Sequence, residues 1–122
     1  LATSLSAGQH LELDDITSLA TSLGAKKVAK ATYDWCYKHE VVSHVVSDIE
    51  AVNACLEFCN DHRLLVEPAC GATLSTLYNP IEFLMDKKNI LVIVCGGSGV
   101  TIDKMNDWKK KLDNNRMYLD NK

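Results

Sequence analysis

One segment of the chain combines a reactive side chain with an unusually bare backbone. Residues 90–99 read Ile-Leu-Val-Ile-Val-Cys-Gly-Gly-Ser-Gly, an uncharged apolar run that ends at Cys95 and a glycine-rich turn. Such a run is typical of a strand buried on both faces of a sheet. Because an open parallel sheet binds ligands at the carboxyl ends of its strands, we expect the Cys95 thiol to face a ligand crevice. Gly96 and Gly97 would let a bound molecule approach the backbone closely.

A second segment with chemical potential reads Glu67-Pro68-Ala69-Cys70-Gly71-Ala72. Proline suits the first turn of a helix, and a carboxylate at that end complements the helix dipole. The small residues that follow allow this turn to pack tightly against a sheet or against a ligand. Spacing alone favours the interpretation as a structural packing contact.

Two other patterns in the sequence are weaker evidence for a functional site. The turn at 96–99 has neither the lysine of a phosphate-binding loop nor the glycine spacing of a dinucleotide fingerprint. Cys55, Cys59 and His62 have the helical spacing of a metal-binding face, but zinc requires a fourth ligand that the sequence does not show. Since the two cysteines continue an apolar helix face, core packing is the favoured interpretation.

The elements that must position these residues alternate between helix and strand. This alternation predicts an α/β domain with an open, mainly parallel sheet and flanking helices. Ser47 and Glu50 have the spacing of a capping box, and Gly8 and Gly24 are expected to end helices in the left-handed conformation. The predicted helices cover about 16–23, 33–39, 49–61, 68–78 and 101–112, and the predicted strands cover 27–29, 41–46 and 90–95.

Composition limits the class of protein. The 122 residues suffice for one modest domain, which we assign to 1–113 with a polar tail at 114–122. A formal net charge of −3 argues against nucleic acid as a partner, and no apolar stretch is long enough to span a membrane. Five cysteines without a disulfide-framework or Cys-x-x-Cys spacing predict a reducing, cytoplasmic location. Because the chain starts at Leu1 with what reads as a helix tail, we expect it to be the C-terminal part of a longer protein.

Three segments carry a resemblance to a known family. They are Asp-Ile-Thr-Ser-Leu-Ala-Thr-Ser-Leu-Gly-Ala at 15–25, Leu-Val-Glu-Pro-Ala-Cys-Gly-Ala at 65–72 and Val-Ile-Val-Cys-Gly-Gly-Ser at 92–98. In this order and spacing the chain resembles the C-terminal part of the L-serine dehydratase/L-threonine deaminase enzymes, which are pyridoxal-phosphate (PLP) proteins of fold type II. The resemblance implies that the chain is a portion of the large PLP-binding domain of that fold.

The resemblance also implies roles for single residues in cofactor binding. Cys95 matches the residue that hydrogen-bonds the pyridine nitrogen, and Gly96 and Gly97 match the turn beside the ring. Ser22 matches a position lining the pocket, and Glu67 matches a carboxylate near the ring. A thiol does not hold the pyridine nitrogen protonated as a carboxylate would, so the ring is a weaker electron sink, which suits β-elimination and discourages transamination.

The resemblance also implies a cation site, and the sequence departs from the family pattern in three places. Leu23 and Ala25 match positions whose backbone carbonyls help to coordinate potassium, as oxygen ligands suit a hard cation. The Schiff-base lysine, in a Ser-x-Lys-x-Arg-Gly segment, and the phosphate-binding tetraglycine loop are absent from this sequence, and both lie upstream in the family. Gly99 stands where many relatives carry asparagine. We therefore assign no catalytic residue within this chain.

The resulting prediction is the C-terminal part of a PLP-dependent L-serine/L-threonine ammonia-lyase. The whole enzyme would convert serine to pyruvate or threonine to 2-oxobutyrate with release of ammonia, as a homodimer, and the 122-residue chain alone would be inactive. One alternative is a serine racemase-like enzyme of the same fold type, a group that tends to have serine where Cys95 stands. The other is a non-catalytic truncated relative that acts as an interaction or regulatory module.

Overall fold

The computed structural model describes residues 1–119, and side chains for 1–113, in two compact units that comprise 1–45 and the residues from Val46 onward. None of the helices in this part of the chain is both long and apolar enough to cross a membrane. The helices are α1 (Ala2–Ala7), α2 (Lys30–Trp35), α3 (Asp48–His62), α4 (Pro68–Tyr78) and α5 (Ile102–Leu119), with short 3₁₀ turns at Thr21–Leu23 and Glu82–Leu84.

Helix α1 in the first unit ends as its sequence predicts. Gly8 adopts the left-handed conformation with φ 64°, and its amide donates to the carbonyls of Leu5 and Ser4. The Ser4 side chain is buried and accepts a hydrogen bond from the amide of Leu11 at 3.2 Å. The prediction of a helix end at Gly8 is therefore confirmed.

The second unit begins with the predicted capping box. The Ser47 hydroxyl accepts from the amide of Glu50 at 3.3 Å, and the Glu50 carboxylate accepts from the amide of Ser47 at 2.7 Å. These bonds pair two amides that the first turn of a helix leaves without partners. Helix α3 starts there, and its inner face buries Val52 and Cys55.

Helix α4 packs against α3 at very short range. It starts at Pro68, as predicted, and Gly71 in its first turn lies so close to α3 that a Cβ would collide with the Ala51 carbonyl oxygen. Helix α5 packs on α3 as well, through Met105. The core of this unit consists of Ala54, Cys55, Val66, Cys70, Leu74, Val100 and Met105.

The prediction of an α/β sheet is wrong, because residues 1–119 contain no strand. The segments 27–29, 41–46 and 90–95 form no strand ladder, and the run at 90–95 is not buried on both faces: Leu91 is 90% and Ile93 71% exposed. A strand exists only with a neighbour whose amides and carbonyls complete its ladder. An apolar, β-branched composition shows that a segment fits a sheet, but it does not supply that neighbour.

The predicted helix at 16–23 is also wrong, apart from its last turn. Only Thr21–Leu23 is helical, as a 3₁₀ turn, and Gly24 is extended with φ −73° instead of left-handed. Short polar side chains compete locally for the backbone here: Asp15 accepts from the amide of Ile16 at 2.8 Å, and Ser18 accepts from the amide of Ala20 at 3.0 Å. Such bonds stabilise turns at the expense of helix.

The last helix is longer than expected. Thr101 caps α5 by accepting from the amide of Lys104 at 3.2 Å, and the helix continues to Leu119, past the predicted end at Leu112. It therefore includes part of the segment 114–122 that the sequence indicates as a polar tail, of which 120–122 lie outside the described residues.

We predict that Gly71→Ala destabilises the protein despite the better helix propensity of alanine. Propensity favours alanine by about 1 kcal/mol, but the new methyl group would meet the backbone of α3, which cannot rotate away. Overpacking costs about 1–3 kcal/mol, and a backbone clash lies at the upper end of that range. We expect the free energy of unfolding, measured with urea and circular dichroism, to fall by about 1–2 kcal/mol.

Gly99→Ala is the matched control, because its Cβ would lie 3.5 Å from the Glu67 carboxylate, an ordinary contact distance. We expect that variant to stay within about 0.5 kcal/mol of the parent protein. Equal stability of both variants would contradict the close approach of α3 and α4.

Candidate functional site

Cys95 lies in a segment of the second unit that has no regular secondary structure, and the residue is exposed. Gly96 follows with φ 135°, a conformation that residues with side chains rarely adopt. A Cβ on Gly96 would meet no atom of the described residues within 4 Å. The thiol and the bare face of the next residue therefore lie beside open space and not in packed core.

Gly97 is bare for a different reason. A Cβ on Gly97 would collide with the Leu65 carbonyl oxygen and would lie 2.9 Å from a methyl group of Val100. The turn closes with a hydrogen bond from the amide of Val100 to the Gly97 carbonyl at 3.1 Å. In this turn, close packing requires glycine at 97, whereas the open space lies at 96.

The Cys70 side chain, in the first turn of α4, binds the backbone on which Cys95 lies. Its sulfur accepts from the amide of Cys95 at 3.2 Å and from the amide of Gly96 at 3.3 Å, and its S–H donates to the Gly96 carbonyl at 3.3 Å. Cys70 is 1% exposed and belongs to the core. One buried thiol thus contacts three backbone groups of the turn.

Glu67 brings the start of α4 to the same turn. Its amide donates to the Gly96 carbonyl at 3.1 Å, and its own carbonyl accepts from the amides of Cys70 and Gly71 at 2.8 and 3.1 Å. One oxygen of its carboxylate lies 3.5 Å from the position of a Cβ on Gly99. The structure therefore brings Glu67 to the Cys95–Gly96 turn, from which it lies nearly thirty residues away in the sequence.

The surroundings of Cys95 favour the protonated thiol. Repulsion from Cys70 and a hydrogen bond with it raise the pKa of Cys95, with smaller contributions from desolvation and from the Glu67 carboxylate. Like charge beside a thiol disfavours its ionised form, so a Cys95 thiolate would be unfavourable. At neutral pH the group is a neutral hydrogen-bond donor at the edge of open space.

Three predicted site residues lie in the other unit, 1–45. Ser22 and Leu23 belong to the 3₁₀ turn Thr21–Leu23, and Ala25 follows Gly24 directly. Two backbone bonds hold the turn, from Leu23 to Ala20 and from Gly24 to Thr21, each at 2.9 Å. The described residues contain no group of three or more His, Cys, Asp or Glu side chains suited to a metal ion. The pocket and potassium roles of these residues stay predictions.

Sequence reasoning did not assign a role to Cys70. It treated the segment at 67–72 as a packing contact, and Gly71 confirms that part. The one sign of such a role in the sequence is that Cys70, which can form hydrogen bonds, lies among alanines and a glycine at a helix start marked by Pro68. Its partners lie about 25 residues further along the chain, so local patterns could not identify them.

Comparison with known proteins gives matches over most of the chain. Residues 1–96, which include Cys95, match the family model of the pyridoxal-phosphate dependent enzymes. The chain is 42% identical over 116 residues to a mouse serine dehydratase-like protein, covering 88% of this chain and 35% of that relative. It is also 42% identical over 105 residues to L-serine dehydratase of Dictyostelium discoideum, covering 84% of this chain and 30% of the relative.

A solved structure agrees with these matches. The crystal structure of a fungal L-serine ammonia-lyase from Rhizomucor miehei aligns with a TM-score of 0.84 at 31% identity, over 90% of this chain and 36% of the fungal one. The chain spans about a third of the length of the relatives it matches. The resemblance found in the sequence is thus confirmed, and the chain belongs to the family of pyridoxal-phosphate dependent enzymes.

Proposed function

We propose that this chain is the C-terminal part of a PLP-dependent L-serine/L-threonine ammonia-lyase in which Cys95 donates a hydrogen bond to the pyridine nitrogen. The relatives named L-serine dehydratase support the reaction class. The observation that carries the proposal is the exposed Cys95 thiol, presented at the edge of open space by the start of α4. We use "whole protein" for the polypeptide translated from the complete transcript that encodes this chain.

The described residues fit the pyridine end of such a cofactor. An unprotonated ring nitrogen accepts a hydrogen bond, and a neutral thiol supplies one. The raised pKa of Cys95 keeps its proton on the sulfur at neutral pH. The open face of Gly96 gives room next to that sulfur for a flat ring.

The group that hydrogen-bonds the pyridine nitrogen determines the chemistry that the site favours. When bound, PLP provides the electron sink that stabilises negative charge at the substrate α-carbon. Cys95 holds its own proton at the sulfur and does not transfer it. With this neutral donor as partner, a bound PLP would supply a moderate electron sink, which would suit loss of the β-hydroxyl group better than transamination.

The remaining assignments belong to the same proposal. Glu67 shapes the pocket wall beside the ring, next to Gly96. Within the unit 1–45, Ser22 has the cofactor-binding role that the family resemblance implies. The carbonyls of Leu23 and Ala25 contribute to a potassium site. The domain at 1–113 acts within a homodimeric, cytoplasmic enzyme whose substrates are serine and threonine.

The first prediction of this proposal concerns the reactivity of Cys95. Because its pKa is raised, we expect alkylation by iodoacetamide to be slow at neutral pH and to accelerate at a higher pH than for an ordinary exposed cysteine. Mass spectrometry can follow the alkylation of Cys95 separately from that of the other cysteines, because its tryptic peptide, between Lys88 and Lys104, contains no other cysteine. The same tryptic peptide from protein unfolded in urea provides the ordinary reference, and a Cys95 midpoint below that reference would contradict a neutral donor.

A second prediction concerns substitution of Cys95 in the whole protein. Cys95→Ala removes the donor, and we expect PLP affinity and kcat/KM for serine to fall about tenfold, as the loss of one hydrogen bond of about 1.4 kcal/mol implies. Cys95→Ser keeps a donor and is expected to retain most of both. An unchanged cofactor absorbance spectrum and unchanged turnover in Cys95→Ala would exclude the assigned contact.

A third prediction separates the alternatives for the whole protein. Incubated with L-serine and PLP, the whole protein is expected to release pyruvate and ammonia, and the 122-residue chain is not. Chiral analysis of the remaining serine tests the racemase alternative: D-serine without pyruvate would overturn the ammonia-lyase assignment. Sequencing the transcript upstream of Leu1 tests the module alternative, which an in-frame start codon next to Leu1 would favour.

A further inference from the structure

We propose that Cys70 is a positioning residue that sets the conformation of the Cys95–Gly96 turn. The three hydrogen bonds of its thiol fix that turn, and through it they place the Cys95 sulfur. The contact itself is independent of any cofactor. Only its consequence for PLP binding rests on the proposed function.

The geometry distinguishes this role from simple core filling. A side chain that only fills space needs bulk, whereas the Cys70 sulfur contacts two amides and one carbonyl of the turn at 3.2–3.3 Å. Without that sulfur, the amides of Cys95 and Gly96 would lose their partner in a partly buried place, and unpaired groups of this kind destabilise a conformation. The turn needs such support because Gly96, which has φ 135°, carries no side chain that would restrict its backbone.

A second cysteine in the same core shows the contrast. Cys55 on α3 is 1% exposed, as Cys70 is, and burial raises its pKa to about 11. Its nearest part of α4 is Gly71, where its sulfur lies against the position of a missing Cβ. Cys55 therefore lies within the interface between α3 and α4, where the Gly71 backbone also hydrogen-bonds it, while Cys70 reaches past that interface to the turn.

Two residues at the start of α4 bind the same turn. The Gly96 carbonyl accepts from the Cys70 thiol and from the amide of Glu67, which lie one helical turn apart. The Gly71 contact with Ala51 fixes the same helix start against α3. The position of Cys95 thus follows from the packing of two helices, although its own segment belongs to neither.

Hydrogen exchange of the two amides tests the proposal directly. In the whole protein we compare Cys70→Ala, Cys70→Val, Cys70→Ser and Cys55→Ala by exchange mass spectrometry of peptides spanning 93–97. Loss of the acceptor is expected to accelerate exchange at Cys95 and Gly96 about 2- to 10-fold in the alanine and valine variants, the range that one net hydrogen bond covers. Serine can accept from both amides, so Cys70→Ser is expected to restore slow exchange, and Cys55→Ala is expected to leave these amides unchanged.

The variants separate hydrogen bonding from bulk. Alanine is smaller than cysteine and valine is larger, so rapid exchange in both variants, with slow exchange in Cys70→Ser, supports the role of the bonds. Slow exchange at both amides in folded Cys70→Val would overturn the proposal. PLP affinity of the same variants is a separate readout: rapid exchange with unchanged PLP affinity would leave Cys70 as the positioning residue and would contradict the cofactor contact assigned to Cys95.

Discussion

The close contact between α3 and α4 is the constraint on which the candidate site depends. Gly71 allows the two backbones to approach so closely that the Ala51 carbonyl oxygen occupies the place of a side chain. This contact fixes the first turn of α4, and that turn carries the Cys70 thiol and the Glu67 amide that bind the Gly96 region. A packing contact between helices therefore determines where an exposed sulfur some 25 residues away is presented.

The electrostatics of the turn indicate what kind of group Cys95 is. Reactive cysteines usually have a lowered pKa, from a helix N-terminus or a cationic neighbour. Cys95 has the opposite surroundings, because Cys70 and Glu67 both raise its pKa. A thiol that resists ionisation is a poor nucleophile and a poor metal ligand, but it is a suitable hydrogen-bond donor. The same neighbours that hold the turn in place thus favour a contact with a neutral acceptor.

The parts of the fold that the sequence predicts correctly are those decided within a few residues. The reciprocal bonds of Ser47 and Glu50, the start at Pro68 and the helix end at Gly8 all depend on neighbours within one turn. The predicted sheet is wrong because a strand at 90–95 requires a neighbouring strand, and periodicity does not show whether one is present. The role of Cys70 was missed for the same reason, because its three partners lie far along the chain, whereas the family resemblance identified Cys95 through a motif.

The glycines beside Cys95 show why a glycine-rich turn is an ambiguous signal in a sequence. Gly97 is required because the Leu65 carbonyl occupies the space of its side chain, so it serves packing. Gly96 has open space and a positive φ, so it serves the shape of the turn and the access to it. The two residues are adjacent and chemically identical, and only the atoms around them separate their functions. The Cys70 thiol binds the amide of Gly96, and both the thiol and the Glu67 amide bind its carbonyl, so the residue that leaves the site open is itself held by three hydrogen bonds.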